Sequence, residues 1–324
     1  MHQLPYEMPG RFYRGNLHTH STNSDGKYSP EEVVRRYQEN GYDFVAITDH
    51  FMERFGYSIT DTSQLRSREF TTLIGSELHT SALANGEVWH LVTAGIPLDF
   101  TPPSEGETGP ELASRAAAAG AFVGIAHPAW YGMTVDEARS VEAAHAVEVY
   151  NETCVMLNDR GDSWYVLDTL LAEGRRLTGY GADDAHFSDG RPDAFAAWVC
   201  VRAEALEPEP LLEALKAGHY YTSQGPSIHA IEIDGNDVVI RCSPARGIYV
   251  SGPAWTFQHA HGFGVSEARF SLEPFLHRRI INGRLEMEPA EAANGSDPSQ
   301  SRYCRVTVVD GHGRKAWSNP IWLD

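Results

Sequence analysis

The chain has 324 residues, 42% hydrophobic and 22% charged, an ordinary globular composition and enough length for one large domain plus a smaller one. Its formal charge is −18 with no block of Lys and Arg, which argues against the cationic surface that a nucleic-acid partner requires. No apolar run approaches the roughly 18–20 residues of a membrane span. The opening "MHQLPYEMPGRFYRG" has neither the basic start nor the apolar stretch of a signal peptide, so the expected location is cytoplasmic, away from membranes. Cys154, Cys200, Cys242 and Cys304 are widely spaced with no CxxC pair, which predicts free buried thiols.

In chain order, "FYRGNLHTH" reads as a strand, and Ser29-Pro30-Glu31-Glu32 opens a helix with a serine cap and proline in the first turn. Gly41 ends that helix, and "YDFVAITDH" is the next strand. Further strands follow at "TTLIGSELHT", "VWHLVTAGI", "AFVGIAHP", "AVEVYN", "LTGYGADDAH" and "AWVCVRAE", with helices at "ELASRAAAAG" and "SWYVLDTLLAEGRR". Apolar strands alternating with helices predict a parallel α/β sheet, and seven or eight strands favour closure into a barrel. After "GHYYTSQGPS" the pattern changes to alternating residues and Asp-Gly turns, which predicts a small antiparallel β-sandwich. The expected division is a barrel over 1–225 and a sandwich over 226–324, with 287–301 as a long exposed loop.

The fifteen histidines are sorted by position. His18 and His20 are two apart on a strand, on one face, so both rings can reach one ion. Asp184 and His186 repeat that spacing, and His50, Glu77 and His127 close other strands. His90 lies within a strand and Asp25 in the loop after the first. In α/β barrels the active site occupies the carboxyl ends of the strands. Nine imidazoles and carboxylates in one cup need neutralising partners. His with Asp and Glu and no Cys suits two or three divalent ions, Zn²⁺, Mn²⁺ or Fe²⁺, with Glu77 as a bridge.

"LHTHSTNSDG", "AITDH", "GSELHT", "AHP" and "GADDAH" resemble the motifs of the PHP (polymerase and histidinol phosphatase) superfamily over roughly residues 12–225. Within it, the chain looks most like the CehA/McbA-type metallohydrolases. The resemblance implies a distorted (β/α)7-type barrel with two or three metals, and phosphoester or carbamate ester hydrolysis. It implies that His18, His20, Glu77 and Asp184 hold a first metal, and Asp25, His50 and His186 a second. Glu77 would bridge to a third held by His90 and His127. Asp25 stands where many trinuclear members have His. Asp49 fits better as an acceptor that fixes an imidazole tautomer than as a ligand.

These readings predict a metal-dependent hydrolase acting on a small anionic phosphoester through a metal-bridging hydroxide. Arg160 in "NDRGDS" is the candidate phosphate contact, and His79, two residues past Glu77, the candidate general acid. Trp130 and Tyr131 are candidates to wall the leaving group. The alternatives are a carbamate or carboxylic ester hydrolase, for want of a second cation near Arg160, and a non-catalytic metal-binding protein. No oligomeric state is legible.

Overall fold

The computed structural model describes residues 4–276, 278–281, 284–287 and 302–323. The stretch read as a loop over 287–301 lies, past Met287, outside them. The chain divides into two compact units, one of Pro9–Leu167 and Leu177–Thr222, the other of Met1–Met8, Asp168–Arg176 and Ser223–Asp324.

The larger unit opens with β1 (Arg11–Asn16), α1 (Pro30–Glu39), β2 (Phe44–Ile47), β3 (His50–Phe51), β4 (Thr71–Ala82) and β5 (Val88–Ala94). It continues through α2 (Gly109–Ala118), β6 (Phe122–Ile125), α3 (Val135–Ser140), β7 (Ala146–Asn151) and α4 (Glu152–Asn158). After α5 (Trp164–Ala172), which the unit boundary divides at Leu167, come β8 (Thr178–Ala182), β9 (Trp198–Ala203), α6 (Pro208–Ala217) and β10 (Tyr220–Ser223). Ser29 caps α1 by accepting from the Glu32 amide, with Pro30 in the first turn, as its sequence predicts. That helix packs Val33, Val34 and Tyr37 against Val45 and Ile47 of β2.

The hydrogen-bonded order is β10-β9-β1-β2-β4-β5-β6-β7-β8, with β3 on β4. The path ends at β8, so the predicted closed barrel is replaced by an open mixed sheet. Parallel pairs β1/β2, β2/β4, β6/β7 and β7/β8 coexist with antiparallel β1/β9, β4/β5 and β5/β6. The Asn85-Gly86 turn, with Gly86 at φ +92°, explains the first reversal. It joins β4 directly to β5, and a parallel connection needs a crossover of a dozen residues or more. The sheet curls nonetheless. Tyr13, Phe44, Leu73, Val92, Phe122, Ala146, Tyr180, Val199 and Tyr220, one from almost every strand, share one core with Leu211 and Leu215 of α6. Glycine makes that core possible at Gly15, where a Cβ would lie 2.1 Å from the Phe44 ring.

In the smaller unit, β11 (Ile228–Asp234), β12 (Asp237–Ser251) and β13 (Phe257–Ser271) are followed by α7 (Glu273–Leu276), β14 (Arg278–Ile281) and β15 (Arg284–Met287). β16 (Tyr303–Val309), β17 (Lys315–Ser318) and β18 (Ile321–Trp322) complete it. β12 pairs antiparallel with β11, β13 and β16, and β16 with β17 and β18. The sandwich predicted here requires two facing sheets; β11, β12, β13, β16, β17 and β18 form one network through β12 and β16, and β14 pairs with β15 alone. The register of β12 shifts between Arg241 and Gly247, where the strand passes from β11 to β16. All four cysteines are free and buried, as their spacing predicts. Among the described residues no helix is long and apolar enough to cross a membrane.

Candidate metal centre

Two short segments form the floor of the centre. Past β1, Thr19 makes an isolated parallel bridge with Ala185. The His20 amide donates to the Ala185 carbonyl at 2.9 Å, and the Asp184 amide to the His18 carbonyl at 2.9 Å. Side chains alternate along extended chain, which puts His18 and His20 on one face, and this register brings Asp184 Oδ1 to 2.9 Å from His20 Nε2 and stacks the His186 ring on His20 at 4.2 Å. Asp184 adopts φ +55°, a region that costs a non-glycine residue energy and persists only when its surroundings enforce it. The enforcing contacts are Thr153, whose hydroxyl donates to the Asp184 carbonyl at 2.7 Å, and Asn151, whose amide donates to its carboxylate at 3.1 Å.

Glu77, 1% exposed, is the hub. β3 pairs His50 with Glu77, and the β4/β5 register sets His79 opposite His90. Glu77 Oε1 lies 2.7 Å from His90 Nδ1 and 3.2 Å from His127 Nε2. Its Oε2 is 2.6 Å from His50 Nδ1 and 3.7 Å from both His18 Nε2 and His20 Nε2. Asp184 Oδ1 lies 3.2 Å from His18 Nε2 and 2.9 Å from His20 Nε2. Asp25 Oδ1 lies 3.3 Å from His50 Nε2 and 3.4 Å from His186 Nε2.

The rings are oriented from behind. His18 Nδ1 faces Glu148 Oε1 at 2.9 Å, and Glu148 Oε2 accepts from the His127 amide at 2.8 Å and the Asn151 side chain at 3.1 Å. His127 sits at φ +24°, and the Glu148 contact helps hold that turn. Glu148 is fully buried. Sequence reading passed over it as part of "AVEVYN", although a lone carboxylate inside an apolar strand is the signal that reveals it. Asp49 touches no imidazole. It accepts from Ser21, Ser24 and Thr60, and reaches His20 only through the Ser24 hydroxyl, 3.4 Å from His20 Nδ1. His186 Nδ1 faces the Asp184 carbonyl at 2.8 Å.

Charge and burial compete throughout the cluster. Burial disfavours the imidazolium, but Glu77 and Asp25 outweigh it at His50 and push it up to about 10. At His18 burial is likewise outweighed, by Asp184, Glu148 and Glu77. Burial prevails at His20, with His186 and His50 adding repulsion, and at His79, lowering each to about 4. Burial would raise Glu77 and Asp184, yet the surrounding imidazoles hold both well below the carboxylate range.

Among the described residues, five groups of three or more donors, each group within 4.8 Å, draw only on the nine residues singled out above and His79. These donors fit divalent ions, since they are imidazoles and carboxylates without thiolate. Two buried donor atoms meet their neighbours at close range without hydrogen-bond geometry: His18 Nε2 lies 3.2 Å from Asp184 Oδ1 and Glu77 Oε2 lies 2.6 Å from His50 Nδ1, so their lone pairs remain suited to an ion that several donors share. A cavity of about 340 Å³ opens onto the cluster, at the lower end of the size of small-molecule pockets. Asp25, His50, Glu77, His90, His127, Asp184 and His186 line it, while His18 and His20 do not. Trp130, Leu157, Ser188 and Arg191 complete one part of the lining. Arg160 is exposed just past α4 and His79 is buried among Glu77, His50 and His90; neither lines the cavity.

Comparison with known proteins matches residues 16–154 to the PHP domain. No curated protein matches. Among solved structures, a two-domain protein from Bacteroides vulgatus containing a predicted PHP-like metal-dependent phosphoesterase is similar, with TM-score 0.50 and 16% identity. The likeness covers 83% of this chain and 89% of that one. A putative metal-dependent phosphoesterase from Bifidobacterium adolescentis gives TM-score 0.40 and 14% identity over 55% of this chain and 89% of its own. An amidohydrolase from Chromobacterium violaceum, with bound sulfate and no metal, gives 0.40 and 16% over 53% and 87%. The first likeness shows a shared fold, and the sequence similarity to the PHP domain extends over residues 16–154, less than half of the chain.

Proposed function

We propose that the protein is a metal-dependent hydrolase of small phosphoesters. The observation that carries the reading is Glu77, a buried carboxylate shared by three of the donor groups. His18, His20 and Asp184 with Glu77 would hold one ion, and Asp25, His50 and His186 a second. His90 and His127 with Glu77 would hold a third. The candidate ions are Zn²⁺, Mn²⁺ and Fe²⁺, which imidazole and carboxylate donors accommodate.

Bound divalent ions supply Lewis acidity toward a phosphoryl group and make water acidic enough to serve as a nucleophile near neutral pH. The chain's own contribution is orientation. Glu148 directs the His18 ring so that Nε2 faces Asp184 and Glu77. Ser24, backed by Asp49, does the same for His20. The size of the cavity favours a small substrate. The surrounding chain, at −18, repels long polyanions, while the ions would attract a compact one.

The test is a hydrolysis screen of metal-reconstituted protein with aryl phosphomonoesters, phosphodiesters and carbamates. Chelator-sensitive phosphoester turnover supports the reading. Turnover confined to carbamates would transfer it to the CehA/McbA-type chemistry, and retention of ions with no turnover on any class would make the chain a metal-binding protein.

A further inference from the structure

Between β8 and β9, residues 187–195 form a loop whose two ends are pinned by buried carboxylates. Asp193, 1% exposed, accepts from the His186 and Phe187 amides, each at 3.2 Å. Asp183, fully buried, accepts from the Phe195, Ala196 and Ala197 amides at 2.9–3.0 Å and from the Tyr37 hydroxyl at 2.8 Å. Phe187 and Phe195, at φ +55° and +66°, seat their rings against the cluster that contains Tyr37 and Tyr42. This much fixation is excessive for a plain connection, since loops ordinarily need only to span a gap.

What the loop presents is Arg191. The turn Ser188–Arg191 closes through the Arg191 amide to the Ser188 carbonyl at 3.1 Å, with Gly190 at φ +77° at its tip. The carboxylate in that turn, Asp189, pairs with Lys27. Among the described residues no carboxylate pairs with the Arg191 guanidinium, in a chain with 44 acidic residues against 26 basic ones. Arg191 is exposed, as Arg160 is, but it lines the same cavity as Asp25, His50 and His186, whereas Arg160 does not. An unpaired guanidinium beside a metal-binding cluster is suited to an anion that contacts both, since its planar fork matches phosphate oxygens. From other elements, Trp130 and Leu157 bring apolar surface to the lining, and Leu157 is 43% exposed. Isolated exposed leucines are common, but one that lines the same cavity as a tryptophan marks a place for an apolar group.

We propose that Arg191, rather than Arg160, binds the phosphoryl group of the substrate, and that Trp130 and Leu157 receive an apolar, flat leaving group, so that the substrate class is an aryl-type phosphomonoester. The proposal deepens the phosphoesterase reading and rests on it.

Binding of two non-hydrolysable probes, phenylphosphonate and methylphosphonate, to the full metal-reconstituted chain separates the contributions, by calorimetry. Arg191→Ala should weaken both probes by about 10- to 100-fold, the scale of lost charge-assisted hydrogen bonds. Arg191→Lys should recover only part of the loss. Trp130→Ala should weaken phenylphosphonate by about tenfold and leave methylphosphonate unchanged, because only the former carries apolar surface to bury. Metal content, measured on each variant, should stay at the wild-type value. Unchanged affinity of Arg191→Ala for both probes overturns the assignment of Arg191, as does loss of metal in that variant. Equal effects of Trp130→Ala on both probes, or none, overturn the apolar subsite, and failure of the wild type to bind either probe overturns the whole proposal. If the probes bind as expected while phenyl phosphate is not hydrolysed, the phosphoesterase reading fails and the binding assignment stands.

Discussion

Replacing Glu148 by glutamine changes one atom in a fully buried residue and tests whether orientation from behind sets metal affinity. The carboxylate receives three hydrogen bonds, from His18 Nδ1 at 2.9 Å, the His127 amide at 2.8 Å and Asn151 at 3.1 Å. Glutamine has one acceptor oxygen, so its NH₂ must face either His18 or the pair of donors from His127 and Asn151. Facing His18, it favours the tautomer with the proton on Nε2, the atom offered to the metal. Facing the other pair, it sets donor against donor. Losing one charge-assisted bond costs about 1.5–3 kcal/mol, which at about 1.4 kcal/mol per decade is a 10- to 150-fold loss of metal affinity. That range agrees with the roughly 10- to 100-fold penalties seen when such outer partners of metal ligands are removed. Competition against a chelator of known affinity measures it, with far-UV circular dichroism to confirm the fold. An affinity indistinguishable from wild type would refute the claim that Glu148 orients His18. Equal losses in His18→Ala and in the double variant, with no added effect of Glu148→Gln, would confirm that Glu148 acts through the ring.

His18→Ala should abolish chelator-sensitive hydrolysis and lower the metal content while leaving the circular dichroism spectrum intact, and full activity would remove His18 from the site. Metal uptake should release protons. His50 is held up to about 10 and His18, His127 and His186 are also raised, so near pH 7 an entering ion displaces protons and affinity climbs as pH rises from about 6.5 toward about 10. Calorimetric heats that do not vary with the buffer's ionisation enthalpy would count against this. Burial lowers His145, with Lys216 adding repulsion, and its Nδ1 accepts the Val123 amide at 3.1 Å. The folded state therefore resists its protonation, and its contribution is present above the ordinary histidine range and lost as pH falls through it. The stability advantage of wild type over His145→Gln should shrink below about pH 6.5, and a gap constant with pH would contradict the assignment. Gly15→Ala should cost about 1–3 kcal/mol by overpacking, because the added Cβ falls 2.1 Å from the Phe44 ring; an unchanged denaturation midpoint would show that the ring yields freely.

Local signals made the centre visible in the sequence. The paired spacing of His18 with His20 and Asp184 with His186 survives folding because the backbone bridge at Thr19 and Ala185 sets the two pairs side by side. The alternation of apolar strands and helices likewise gave the α/β character. An all-parallel order did not follow, because strand direction depends on connections and the short Asn85-Gly86 turn reversed β5; closure fails separately, where β8 has no ladder to β10. The apolar neighbours of Glu148 signal its burial, but its role was not legible, because the curled sheet brings it against His18 and His127, which are far away in sequence. Arg160 and Arg191 are both exposed arginines beside glycines, and only three-dimensional placement distinguishes them: the second lines the cavity and the first does not.

The open seam of the larger unit bears on the timing of metal exchange. β8 and β10 are not joined by a backbone ladder. They are joined by hydroxyls, with the Gly181 amide donating to Thr222 Oγ1 at 3.0 Å and the Tyr220 hydroxyl to Thr178 Oγ1 at 2.7 Å. β8 is also the strand that delivers Asp184 and His186. Segments with fewer cooperative hydrogen bonds open at lower free energy than the core around them. A transient parting of this seam would carry two donors away from His18 and His20 once it also broke the two backbone bonds that join the segments, Asp184 amide to His18 carbonyl and His20 amide to Ala185 carbonyl. Ion release would then follow the clock of one strand's fluctuation, with amides of residues 178–182 exchanging with solvent sooner in the metal-free protein than in the loaded one.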